Sequence, residues 1–333
     1  MDDTIGGDFH EKCSLDFYGT KRQPTFEHIL QQMTALALNV VERSVAIPGA
    51  QPKFSLSLVN ETIQQGNKGR LTVVGALGGN YVFKPPSKQF PEMPANEHVT
   101  MRIAEAFGIN TVKSSLIRLQ SGELSYITKR IDRTATGEKI HMVDMFQITE
   151  AFDKYKSSME KIGKALNEYS DNTLLDKLYF LELAIFSFLT GNNDMHLKNF
   201  SMINTSDSWT LAPADVLLNV NIVNPDDTEE LALPLEGKKK KLKWEHFERL
   251  GKSLDLNDKQ LKGIAKRFQK NKPIAIQWLN NSFLSDEYKQ KYIILLEERY
   301  IALFLQMLLN QFLFLLILHD KQCFNSFLFI FSF

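Results

Sequence analysis

The chain has 333 residues, enough to bury a full core and to divide into two lobes. Its 39 Lys and Arg balance 39 Asp and Glu, which excludes bulk electrostatic attraction to nucleic acid as the basis of its activity. Cys13 and Cys323 are too far apart to suggest a disulfide framework, and the polar first 25 residues have no secretory apolar core, so the expected compartment is the cytoplasm.

In chain order, residues 1–25 read as a loosely ordered segment. Phe26 to Arg43 predicts an amphipathic helix, with Ile29, Leu30, Met33, Leu36 and Val41 partly in helical register. Ser44 to Lys53 reads as a loop. Phe54, Leu56 and Leu58 alternate with polar residues, as in a half-buried strand. Leu71–Val74 and Tyr81–Lys84 are two further strands around a glycine turn. Asn96 to Phe107 predicts a helix closed by Gly108, and Leu116–Leu119 with Leu124–Thr128 predicts a hairpin around Ser121 and Gly122.

From Met142 the pattern turns helical. Leu174 to Leu189 is a long, largely apolar run and predicts a buried helix. Trp209–Leu211 and Leu231–Leu235 are short strand candidates. Trp244–Ser253, Asp258–Asn271, Ala275–Asn281 and Asp286–Leu308 predict helices. The division is a segment 1–25, a sheet-rich lobe 26–140, a helical lobe 141–300 and an apolar end 301–333. Ile301 to Leu318 carries no charge over 18 residues, the length of a membrane span, but Gln306, Asn310 and Gln311 interrupt it. The expectation is a last helix and an atypical tail rather than a membrane anchor.

The chemistry concentrates in Gly191-Asn-Asn-Asp-Met-His-Leu-Lys-Asn-Phe200, directly after the buried helix. Asp194 and Asn199 are five apart, the spacing of a kinase catalytic loop, in which the Asp takes the acceptor hydroxyl's proton and the Asn holds magnesium. Asp215, sixteen residues beyond Asn199, is placed to serve as a second metal ligand. Lys84 ends a strand in Val82-Phe-Lys-Pro-Pro86. It reads either as a phosphate-binding lysine or as a solvated edge residue. Glu97 opens the next helix, either orienting a lysine or complementing the helix dipole. Pro48-Gly49-Ala50 with Lys53 can approach an anion or form an ordinary turn. A Walker A spacing, a close histidine pair and a Gly-x-Ser-x-Gly elbow are all missing, which disfavours a P-loop NTPase, a zinc hydrolase and a serine hydrolase. Lys238–Lys241 with Lys243 reads as a solvated turn or a docking patch for an acidic or RNA-bearing substrate.

These residues, with Ser44-Val-Ala-Ile-Pro-Gly-Ala-Gln-Pro-Lys53, Phe83-Lys-Pro-Pro86, Asn96-Glu97 and Lys129-Arg-Ile-Asp-Arg133, resemble the HipA-like serine/threonine kinases, toxins of type II toxin–antitoxin modules. The resemblance runs from about Phe17 to Tyr300. It implies an α+β, bilobal, protein-kinase-like fold of the HipA C-terminal type, with ATP and Mg2+ as cofactors. Asp194 would be the base, with His196 and Lys198 lining the catalytic loop. Asn199 and Asp215 would hold magnesium. Pro48, Gly49, Ala50, Gln51, Lys53, Lys84 and Glu97 would serve the nucleotide phosphates, and Lys129, Arg130 and Ile131 the hinge near the adenine. Ser44 would be the autophosphorylated loop serine; Ala46 stands where small relatives often carry a second serine. The implied substrate is an aminoacyl-tRNA synthetase or another translation protein, tRNA-bound or not. The implied partners are a HipB-like antitoxin, through which DNA is reached, and a separate N-terminal-subdomain protein. The alternatives are a catalytically weak binding subunit of the toxin–antitoxin complex and a small-molecule kinase.

Overall fold

The computed structural model describes residues 9–43, 53–61, 68–74, 78–90, 92–134 and 136–305. A five-stranded antiparallel sheet, in the order β2-β1-β3-β5-β4, forms the first lobe. Its strands are β1 (Phe54–Glu61), β2 (Lys68–Val74), β3 (Tyr81–Lys84), β4 (Ser114–Arg118) and β5 (Leu124–Lys129). Strand side chains alternate between faces, and here both faces are covered. Phe54, Leu56, Tyr81, Phe83, Ile117 and Ile127 share one core with Phe17, Tyr18, Phe26 and Met33. Leu116 and Tyr126 point the other way, into the main core with Val99 and Ile103 of α3 (Met93–Ala106).

The outer cover comes from α1 (Glu11–Tyr18) and α2 (Leu30–Arg43). Within residues 9–25, expected to be loosely ordered, Phe17 and Tyr18 are buried against the sheet. The segment gains order from aromatic packing: Phe17 and Tyr18 meet edge-on at 4.7 Å, and both reach the Tyr81 ring within 6 Å. Leu30, not Phe26, starts the second helix; Phe26 instead packs on the sheet at 4.7 Å from Phe83.

The second lobe is built on α6 (Thr173–Thr190), whose residues from Phe180 to Thr190 are all buried. Around it lie α5 (Met159–Tyr169), α7 (Trp244–Ser253), α8 (Asp258–Asn280) and the helical residues 286–305. Two helices were expected across 258–281, divided before Ala275. A single helix runs through Pro273, because Ala275 and Leu279 continue the buried face and hold the helix past the lost backbone bond. Leu231–Leu235 is not a strand. Among the described residues it is a buried, largely apolar run that pairs only through the isolated bridge Leu235 to Lys238. A small sheet, β6 (Met142–Asp144), β7 (Ser201–Thr205) and β8 (Ser208–Leu211), flanks the loop after α6. The short α4 (Met145–Ile148), with an Asp144–Gln147 capping box, follows β6. Among the described residues no helix is long and apolar enough to cross a membrane.

Candidate active site

Gly191 ends α6 in the left-handed conformation, φ 67°, and swings the chain into the catalytic-type loop. A Cβ there would sit 2.5 Å from Leu295 and 2.7 Å from the Asn221 amide oxygen, so the position also needs the missing side chain. The loop is then fixed by its own polar groups. His196 N–H donates to the Asp194 carbonyl at 2.8 Å, and Asn199 Nδ2 donates to the same carbonyl at 2.6 Å. Asn193 Nδ2 reaches the Glu229 carbonyl at 3.1 Å. The Asn199 amide nitrogen is thereby committed inward, which leaves its oxygen for a ligand.

Asp215 is carried by a segment stitched to the first lobe. Ala214 N–H donates to the Asn110 carbonyl at 2.9 Å, and Val112 N–H donates to the Ala214 carbonyl at 3.0 Å. Asn199 and Asp215 line the wall of one small cavity, together with Ser201 and Pro213. Among the described residues no group of three or more His, Cys, Asp or Glu could hold a metal. One carboxylate and one amide oxygen suit magnesium, which keeps several waters and takes further oxygens from phosphates.

Above this lies a buried ion pair. Lys84 Nζ donates to Glu97 Oε1, with both side chains at most 4% exposed. Burial pushes the Glu97 carboxyl upward, against the pull of Lys84 and Lys53. Burial likewise raises Asp215, against Lys84 and Lys53, and lowers Lys53, whose neighbours include Lys84, Glu97, Asp215 and Asp194. Lys53, Lys84, Glu97 and Asp215 thus lie within one another's electrostatic reach, and Asp194 acts on Lys53 as well.

The helix bearing Glu97 is clamped to the second lobe. Asn96, fully buried, accepts from Asn219 N–H at 2.9 Å and donates to the Asn219 carbonyl at 2.8 Å. One turn on, the Thr100 hydroxyl hydrogen-bonds Tyr292 Oη at 3.0 Å. The position of Glu97, and with it Lys84, is therefore tied to the segment four residues beyond Asp215.

The other expected site residues are placed as follows. Ser44, Pro48, Gly49, Ala50 and Gln51 lie outside the described residues. His196 is buried, its Nε2 3.9 Å from Asp194 Oδ1, and burial lowers its basicity in spite of that carboxylate. Lys198 is exposed, with its ammonium 4.7 Å above the Phe146 ring. Lys129 is turned away from the charged group: its ammonium donates to the Asp16 carbonyl at 3.2 Å and sits over Phe17 at 5.7 Å. Arg130 grips Asp132 with two bonds, at 2.9 and 2.7 Å. The Lys129 and Arg130 N–H groups are taken by the Lys113 and Asn80 carbonyls. Ile131 packs on the main core. In the basic turn, Lys239 pairs with Glu229 at 3.0 Å, and Lys238, Lys240 and Lys241 are exposed.

One contact had no sequence signal. Tyr155 Oη donates to Asp194 Oδ1 at 2.9 Å, across 39 positions of chain. It sits in an irregular segment between α4 and α5, where no spacing marks it.

Residues 45–276 match the family described as HipA-like C-terminal domain. The chain belongs to that family. A Haemophilus influenzae protein bearing the provisional name of kinase is 29% identical over 210 residues, 58% of this chain and 58% of its own length. A Shewanella oneidensis protein named serine/threonine-protein kinase toxin HipA is 22% identical over 212 residues, 58% of this chain and 47% of that one. The chain thus spans about half to three fifths of the length of these relatives. A solved structure of a Shewanella oneidensis toxin–antitoxin system, HipA with HipB and operator DNA, is similar over 80% of this chain and 70% of that one, with a TM-score of 0.61 at 20% identity. The fold is kinase-like.

Proposed function

We propose that the protein is an ATP-dependent serine/threonine protein kinase of the HipA toxin type. The observation that carries the reading is the gathering of Lys53, Lys84, Glu97 and Asp215 against a loop presenting Asp194 and Asn199. Lys84, held by Glu97, and Lys53 bind the phosphates of ATP, while Asn199 and Asp215 hold Mg2+. Bound magnesium neutralises charge on the transferring phosphoryl group. Asp194 accepts the proton of the acceptor hydroxyl as its oxygen attacks the γ-phosphorus and ADP leaves. Catalysis is chiefly positioning and charge complementarity.

The acceptor is a protein hydroxyl, and the motif resemblance favours a translation protein such as an aminoacyl-tRNA synthetase. Ser44, nine residues before Lys53 in sequence, is the proposed autophosphorylation site. A HipB-like antitoxin is the proposed partner, through which DNA is reached, and the cytoplasm the proposed compartment. The full chain with labelled ATP, magnesium and a bacterial lysate tests the proposal. Label on Ser44 or on a lysate protein, dependent on magnesium, is expected. ATP binding without any transfer would favour the binding-subunit alternative, and label only on metabolites a small-molecule kinase.

A further inference from the structure

The Asp194 backbone is fixed by Asn199, His196 and the loop, but these bonds leave its side chain free to rotate. Among the described residues, one group donates a hydrogen bond to the carboxylate: Tyr155 Oη, at 2.9 Å to Oδ1. The Asp194 side chain is 44% exposed, and among the described residues its carboxylate contacts are made at Oδ1, which leaves Oδ2 for an incoming group. Tyr155 is itself held. Its ring meets His196 edge-on at 5.0 Å, and the Lys154 ammonium lies 4.9 Å over its face. The Leu197 N–H donates to the Lys154 carbonyl at 3.2 Å, joining the two loops by backbone, and Tyr155 N–H donates to Asp153 Oδ1 at 2.9 Å.

We infer that Tyr155 is a positioning residue for the phosphoryl-transfer base. Its hydroxyl fixes the Asp194 carboxylate so that Oδ2 faces the acceptor hydroxyl. The inference rests on the kinase reading of the site. A carboxylate able to turn spends less time in the geometry proton transfer requires, hydrogen-bond reach of about 2.6–3.2 Å from the acceptor oxygen. The loss on removing the phenol therefore falls on the chemical step and not on nucleotide binding.

The test has two arms. In the first, the initial rate of label transfer from ATP to lysate protein is followed against ATP concentration for the full chain, Tyr155→Phe, Asp194→Asn and the double variant. Phe keeps the ring against His196 and removes the hydroxyl alone. The expected result is a roughly ten-fold lower maximal rate for Tyr155→Phe with an unchanged KM for ATP, a part of the roughly 10²–10⁴-fold that a positioned base contributes as a whole. It also includes no further loss when Tyr155→Phe is added to Asp194→Asn. A rise in maximal rate would mean that the phenol obstructs the acceptor, and an equal rate that it is idle; either overturns the inference.

The second arm needs no activity. With tyrosine labelled with 13C at Cζ, the Tyr155 resonance, identified by its loss in Tyr155→Phe, is compared between the wild type and Asp194→Asn. A clear displacement is expected, because the carboxylate acceptor is exchanged for a neutral amide. An unmoved resonance would overturn the contact. A wild type that transfers no label would sink the kinase reading, and the resonance would still decide whether the carboxylate is held.

Discussion

The two ends of the site are held by different means. At the Lys84 end, both partners of an ion pair are almost fully buried, and the helix carrying Glu97 is clamped to the second lobe by Asn96. At the Asp194 end, the carboxylate is nearly half exposed and meets a tyrosine from an irregular loop. The first end is rigid because leaving any member unpaired in the interior is costly. On the proposed reading the second stays open so that an acceptor can reach it. Nucleotide handling would then be built into the fold, and acceptor handling left to loops.

This contrast can be broken or sharpened. Apart from Asp194 itself, the largest effect is expected from Asp215→Asn: label transfer should fall roughly a thousand-fold, about 4 kcal/mol of transition-state stabilisation. Circular dichroism and the thermal midpoint should stay close to wild type. A variant with full activity would remove Asp215 from the chemistry.

Next is Lys84→Met, which leaves Glu97 buried without its cation. Stability at pH 7 should drop by about 3 kcal/mol, measured by urea unfolding. The drop should shrink on acidification. Glu97 already has a raised carboxyl in the native state, and losing Lys84 raises it further. The folded variant then holds a proton that the unfolded chain releases above its own carboxyl range near 4, so the penalty from Glu97 is absent at low pH and grows as pH rises. A pH-independent loss would contradict the burial of Glu97. Adding Glu97→Gln should restore part of the stability but not the activity.

Asn96→Ala leaves the Asn219 N–H and carbonyl without their buried partner and should cost about 2 kcal/mol. If the clamp positions Glu97, transfer should fall as well, with KM for ATP rising. Stability loss alone would confine Asn96 to packing. The smallest effect is expected for Gly191→Ala, at about 1–2 kcal/mol, from the left-handed backbone and the crowding by Leu295. Thermal melting would measure it.

Much of this was legible in the sequence because it is local. The step from Asp194 to Asn199 is five residues, and Lys84 and Glu97 stand at the ends of adjacent, clearly patterned elements. The alternating strands and the largely apolar α6 follow from their residue patterns. What was not legible depends on distant partners. Phe17 and Tyr18 order α1 only because the outer sheet face offers Tyr81 and Phe83. Pro273 suggested a break, yet burial on its far side carries the helix through. The Asn96–Asn219 clamp spans 123 positions and Tyr155–Asp194 spans 39, and neither has a spacing rule. Lys129 was expected at the hinge with Arg130 and Ile131; the contacts of its side chain with Asp16 and Phe17 of α1 have no spacing signal either.

The central claim is that Asp194 serves a phosphoryl transfer for which the rest of the site is already assembled. The most direct measurement compares the full wild-type chain with Asp194→Asn in two readings on the same samples: binding of ATP by calorimetry in magnesium, and transfer of labelled γ-phosphate to protein. The account predicts equal ATP affinity within about two-fold and a transfer rate reduced by roughly 10²–10⁴-fold in the variant. Equal transfer by the two chains would contradict it.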